Sequence, residues 1–199
     1  YGAEIGGKDM HRHMLHRGPV QGLAGSVVTI GAFDGVHLGH QALIGAAIDA
    51  GRRLGLPVVA WTFDPPPKVF FGRAPLLMSP VEKVVRIASL GVDHIILTRF
   101  DAEFRALSAE GFLDAMMSMH PAEAWVGDDF RFGAGQKGDR DLLETRVPVR
   151  LLDPVECVKG QRISSSRIRT HWQNGEFNRV KELIGWEDFY LHPRDDQGW

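Results

Sequence analysis

The densest chemistry in the chain lies in Gly31-Ala32-Phe33-Asp34-Gly35-Val36-His37-Leu38-Gly39-His40, a glycine-punctuated stretch carrying two histidines three residues apart. At a helix start that spacing sets His37 and His40 on one face. Gly39 leaves room for a phosphate chain to approach the backbone, and a helix N-terminus adds amide donors and the positive end of a dipole. The stretch suits a triphosphate. The plainer alternative is a pair of capping or solvated histidines; a zinc site lacks a third ligand of convincing spacing, so no protein metal site is expected.

A second group is Arg162-Ile163-Ser164-Ser165-Ser166-Arg167-Ile168-Arg169. Hydroxyls of Ser164, Ser165 and Ser166 at a helix N-terminus can donate to phosphate oxygens, and Arg162 and Arg169 can offer bidentate guanidinium contacts. An ordinary N-cap serine beside solvated arginines is the competing reading. Two further segments bear aromatic and acidic groups. Thr62-Phe63-Asp64-Pro65-Pro66-Pro67 sets a rigid wall beside Phe63, suited to a flat ring and equally to a surface turn. Gly127-Asp128-Asp129-Phe130-Arg131-Phe132-Gly133 alternates like a strand, so Phe130 and Phe132 are also core candidates. Gly133 to Gly138 satisfies Gly-x-Gly-x-x-Gly, but its Phe-rich lead-in and the missing acidic residue after a next strand argue against a dinucleotide fingerprint.

These segments need elements to position them. Val27–Ile30, Val58–Phe63, His94–Leu97 and Ala124–Val126 read as buried strands, with Val147–Leu152 and Val158–Ile163 as further short ones. Helices are expected from Leu38, from Pro80 behind the N-cap Ser79 with Glu82 in a capping box, and from Ser108, Ser164 and Phe177. In the Pro80 helix, Val81, Val84, Val85 and Ala88 are expected on one buried face. Alternation of strand and helix predicts an α/β fold, a doubly wound and mostly parallel sheet. All four chemical segments follow strands or open helices, where ligands of such sheets bind.

Composition sets the limits. A chain of 199 residues holds one well-cored domain. A formal charge of -2 gives no global basic field, which argues against a nucleic-acid partner. No apolar run approaches the roughly 20 residues of a membrane span. The single cysteine, Cys157, fits a reducing compartment, and a cytoplasmic location is expected. Residues 1–24 are read as a separate N-terminal segment, 25–185 as the domain and 186–199 as a tail. His11, His13 and His16 would be a metal-binding cluster only on a helix; a solvated segment is the expectation.

Phe33-Asp34-Gly35-Val36-His37-Leu38-Gly39-His40 resembles the signature of the adenylyltransferase domain of prokaryotic bifunctional FAD synthetases, the riboflavin kinase/FMN adenylyltransferase proteins. His-x-Gly-His alone marks only the wider nucleotidyltransferase superfamily, with its Rossmann-like fold. The Thr62–Pro67, Val126–Asp139 and Arg162–Arg169 segments are similar to that family's later motifs in the same order. The resemblance implies transfer of AMP from ATP to FMN, giving FAD and pyrophosphate, with Mg2+ accompanying ATP. It implies catalytic roles for His37, His40 and Arg169. It further implies ATP or phosphate contacts from Gly31, Phe33, Gly39, Arg162 and Ser164–Ser166, and flavin contacts from Phe63, Pro65, Asp129 and Phe130.

Ala32 stands where the family often has asparagine, and Pro66 where it commonly has histidine. Two alternatives stay open at this point: a related nucleotidyltransferase with another phosphorylated acceptor, and a non-catalytic flavin- or nucleotide-binding relative. Leu183-Ile184-Gly185 resembles the segment that precedes the family's kinase domain. No riboflavin phosphorylation is expected from this sequence.

Overall fold

Inward-facing side chains alternate along the central strands, so the sheet has two apolar faces and needs helices on both. The computed structural model describes the backbone of residues 3–5 and residues 13–158 and 160–187. Its strands are β1 (Ala3–Ile5), β2 (His13–His16), β3 (Ser26–Ile30), β4 (Val58–Asp64), β5 (His94–Arg99), β6 (Pro121–Val126) and β7 (Val149–Leu151). They form one sheet in the order β1-β2-β5-β4-β3-β6-β7. β1 is antiparallel to β2, and every other pairing is parallel.

The helices are α1 (Leu38–Leu54), α2 (Pro67–Phe70), α3 (Pro80–Ser89), α4 (Ala102–Ala106), α5 (Ala109–Met117), α6 (Arg140–Glu144), α7 (Ser165–Gln173) and α8 (Phe177–Ile184). On one face, Val27, Ala60, Ile95 and Leu97 meet Ile44 and Ala47 of α1, Val84 and Ile87 of α3, Ile168 of α7 and Leu183 of α8. On the other, Val28, Ile30, Trp61, Ile96 and Val126 meet Phe112, Leu113 and Met116 of α5 and Leu143 of α6. Each fully buried aliphatic side chain contributes about 1.5–3 kcal/mol relative to exposure, so the two layers together hold the doubly wound form.

From β3 the chain proceeds outward through β4 to β5, then crosses back to place β6 on the other side of β3. The strand order therefore reverses between β3 and β6, and the loops after these two strands part to leave a crevice.

Four sequence expectations are corrected. Residues 13–16 are not a solvated segment, because they form β2, which pairs with β5, and His13 is buried with its Nδ1 against the Val92 carbonyl. β2 is extended, so positions 13 and 16 fall on opposite faces and make no helical histidine pair; His16 instead meets His94 at 3.2 Å, and His11 lies outside the described residues. Val158–Ile163 is not a strand but the turn of a small hairpin bridged at Glu156 and Arg162, with Val158 fully exposed. In α3 the buried face is Lys83, Val84, Ile87 and Ala88, while Val81 and Val85 are exposed. Val84 and Ala88 are interior as their spacing predicts, whereas Val81 and Val85 are not, and Lys83 and Ile87 complete the buried face.

Candidate active site

The β3–α1 loop is held by its own residues. A Cβ on Gly31 would stand 2.7 Å from the Phe33 ring, and one on Gly39 would stand 3.2 Å from the His37 ring. Neither position accommodates a side chain without displacing a ring. Phe33 and Val36 have φ of 45° and 36°, a region costly for residues with a Cβ, and the loop keeps them there by burying both side chains completely. His37 is the N-cap of α1, its Nδ1 accepting from the His40 N–H at 3.3 Å. That bond leaves the proton of the neutral His37 ring on Nε2. The two imidazoles stack with centroids 3.6 Å apart, and His40 meets the Phe33 ring edge-on at 5.3 Å.

Burial pushes the His37 imidazole down to about 4, with the guanidinium charges of Arg162 and Arg169 acting in the same direction. Burial likewise holds His40 well below the usual histidine range, with His37 and Lys83 adding to the effect. Both rings are neutral at neutral pH before a ligand arrives. His40 Nδ1 is buried and has no hydrogen-bond partner among the described residues.

Opposite the histidines stands the N-terminus of α7. Ser164 caps it, Ser165 Oγ donates to the Asp34 carbonyl at 2.9 Å, and Ser166 Oγ accepts from Lys68 Nζ at 3.3 Å. The three hydroxyls thus face the cleft already engaged within the protein. Arg169 is buried, ion-paired with Asp34 and donating from Nε to the Pro75 carbonyl at 2.8 Å. Burial pushes the Asp34 carboxyl up and the Arg169 guanidinium down, while each favours the charge on the other. Arg169 is therefore chiefly a buttress between α7 and the β3–α1 loop, not the open bidentate fork that its position suggested. Arg162 reaches the cleft from the hairpin but grips Asp128 at 2.8 and 2.6 Å. A ligand would share or compete for that guanidinium with the Asp128 carboxylate.

Histidines, serines and both arginines line one cleft of about 350 Å3, which extends to Phe63, Pro66, Pro67 and Lys68 on one side and to Gly127, Asp129 and Phe130 on the other. Pro65 does not line it, whereas the next two prolines do. Phe33 borders it as a wholly buried residue. Phe130 stands at the wall, stacked on the core residue Phe132 at 5.5 Å, and Asp129 is largely exposed at the mouth. The Gly133–Gly138 stretch folds on itself through a bridge between Phe132 and Gly138 around a 3-10 turn, Ala134–Gln136, so no fingerprint helix begins there.

Sequence reading missed Lys68, Lys83 and Asp128. Lys68 follows a proline run that signalled only a turn, Lys83 sits on a stripe masked by exposed valines, and Asp128 gains meaning only when the hairpin brings Arg162 to it across 34 residues.

A parallel sheet with a histidine-bearing strand-to-helix loop at its switch point defines an α/β fold built to hold nucleotide phosphates. The family profile described as FAD synthetase matches residues 21–167, and the chain belongs to that family. A Geobacillus thermodenitrificans protein, provisionally named bifunctional riboflavin kinase/FMN adenylyltransferase, is 44% identical over 164 residues, covering 82% of this chain and 92% of that one. The Escherichia coli K12 bifunctional riboflavin kinase/FMN adenylyltransferase is 37% identical over 182 residues, covering 87% of this chain and 57% of that one. The chain thus spans little more than half of the E. coli relative's length. A Streptococcus pneumoniae crystal structure described as a macrolide-efflux protein superposes with a TM-score of 0.73 at 29% identity, over 87% of this chain and 70% of that one. Among the described residues no helix is long and apolar enough to cross a membrane.

Proposed function

We propose that the chain is an FMN adenylyltransferase, joining the AMP part of ATP to FMN and releasing pyrophosphate. One observation carries the reading: His37, His40 and the α7 N-terminus open into the same cleft as Phe63 and Phe130, so a phosphate end and a flat-ring end share one space. The FAD synthetase match supports the choice of FMN as acceptor.

In the reaction an FMN phosphate oxygen attacks the α-phosphorus of ATP in line with the departing pyrophosphate. Such transfers depend on positioning and charge stabilisation more than on a strong base. His37 donates from Nε2 to an α-phosphate oxygen. The triphosphate charge raises both imidazoles toward their protonated forms, so that positive charge appears when the ligand is present. Ser165 and Ser166 turn their hydroxyls to the pyrophosphate end, and Arg162 leaves Asp128 to neutralise it. Phe63 and Phe130 take the isoalloxazine, with Asp129 at the mouth.

Magnesium supplies charge neutralisation to the triphosphate. Among the described residues no group of three or more His, Cys, Asp and Glu side chains is set to hold a metal ion, so phosphate oxygens and water would provide most of its ligands. The proposal places the reaction in the cytoplasm, where both FMN and ATP are available. The kinase reaction in the relatives' names is not part of the proposal. The test is incubation with ATP, magnesium and FMN, with FAD and pyrophosphate measured together: equal amounts of the two are expected. FMN binding without pyrophosphate would replace the proposal with a non-catalytic flavin-binding role.

A further inference from the structure

Lys83 of α3 is buried to 1% exposure, below the cleft rather than in its lining. A buried ammonium is costly unless each proton finds an acceptor. Its Nζ donates to the Phe63 carbonyl and, at 3.3 Å, to the Ala32 carbonyl. Both acceptors have a structural reason to need it. Gly31 N–H to the Trp61 carbonyl, at 3.1 Å, is the last backbone bond between β3 and β4 before the chain turns away at Ala32. The next carbonyl on that edge of β4 is Phe63, which has lost its strand partner, and the lysine occupies the place β3 would have filled. The Ala32 carbonyl, which also accepts from Thr62 Oγ1 at 3.0 Å, is drawn to the same point. In a trans peptide the N–H lies opposite the C=O, so anchoring the Ala32 carbonyl below turns the Phe33 N–H away from Lys83. No acceptor for that N–H exists among the described residues.

We infer that Lys83 is a positioning residue for adenylyl transfer: its ammonium ties the loop facing the nucleotide to the strand end carrying Phe63, fixing the two ends of the cleft relative to one another. The inference rests on the adenylyltransferase reading. The charged groups acting on the ammonium are Asp34 of the β3–α1 region and Asp64 at the end of β4, and its charge acts in turn on His40; Arg169 of α7 pairs with the same Asp34, and Glu82 and Arg86 of α3 pair with one another. Burial lowers the Lys83 ammonium to about 8, against the opposing pull of Asp34 and Asp64. The tie is therefore present at neutral pH and weakens as pH rises through about 8.

The test compares the parent chain with Lys83→Met and Lys83→Arg, measuring kcat and KM for both substrates from pH 6.5 to 9.5 by FAD formation, with circular dichroism as the check on folding. The parent is expected to lose kcat above pH about 8. Lys83→Met is expected to lower kcat about 100-fold at pH 7, the scale of a misplacement near 1 Å, and to lack the alkaline limb. Lys83→Arg, charged throughout the range, is expected to recover part of kcat and also to lack that limb. Should the Met variant not fold, the Arg variant carries the test through its pH profile alone. An active parent matched by an equally active Met variant, or an alkaline limb unchanged in the Arg variant, overturns the role of Lys83 and leaves the adenylyltransferase reading standing. An inactive parent overturns that reading, and this inference with it.

Discussion

Asp128→Asn separates the charge of Arg162 from its internal partner while nearly preserving shape. The Asp128–Arg162 pair is bidentate, but the two side chains are 45% and 47% exposed, so water and salt screen it. Exposed pairs contribute about 0.2–1 kcal/mol, and the good geometry places this one toward the upper end. Global stability should therefore fall by no more than about 1 kcal/mol. ATP, however, competes with Asp128 for the guanidinium, and removing a competitor worth about 1 kcal/mol should lower KM for ATP by up to about 5-fold. Little change in kcat is expected. Pyrophosphate release against ATP concentration, for parent and variant at low and high salt, measures the effect. The gap between the two should narrow as salt rises, since the lost interaction is screened. A KM that rises in the variant would refute exchange at Arg162 and make Asp128 a support that ATP needs.

His40→Ala should reduce kcat by about 100-fold or more, the usual loss of a donor aimed at developing charge, with the fold retained by circular dichroism; parent-like turnover would remove His40 from the mechanism. Asp34→Asn leaves Arg169 buried without its counter-charge and should cost about 3–5 kcal/mol in urea unfolding, whereas a loss below 1 kcal/mol would contradict the buttress between α7 and the β3–α1 loop. The pH dependence of stability carries a definite sign. His37 is lowered in the folded state to about 4 from 6.5, so the unfolded chain binds the proton first as pH falls. Its contribution is complete above pH 6.5 and is lost down to about pH 4, a change of about 3 kcal/mol. His37→Gln should flatten that part of the curve, and an unchanged curve would deny the buried neutral ring.

The strand-to-helix loop was legible because its signals are local: glycines where rings leave no space, a capping histidine and a helical period after Leu38. The central strands were legible as continuous apolar runs. What sequence concealed depends on contacts across the fold. β2 reads as a polar, histidine-rich stretch, and only its pairing with β5 makes it a strand. Arg169 and Arg162 look like free phosphate forks until Asp34 and Asp128 are brought against them. Lys83 is hidden most completely, since a lysine between valines on a capped helix reads as the solvated face, yet it supplies the bond that β3 withholds from Phe63. Motif position points to Pro65 for the flavin wall, whereas Pro66 and Pro67 line the cleft instead.

Isotopic label shows directly which phosphorus of ATP is attacked. With magnesium, FMN and ATP labelled at the α-phosphorus, label is expected in FAD and none in pyrophosphate; with ATP labelled at the β-phosphorus, the reverse is expected. Label from the β- or γ-phosphorus appearing on the flavin, or α-label released as free AMP with no FAD formed, would contradict adenylyl transfer at this cleft.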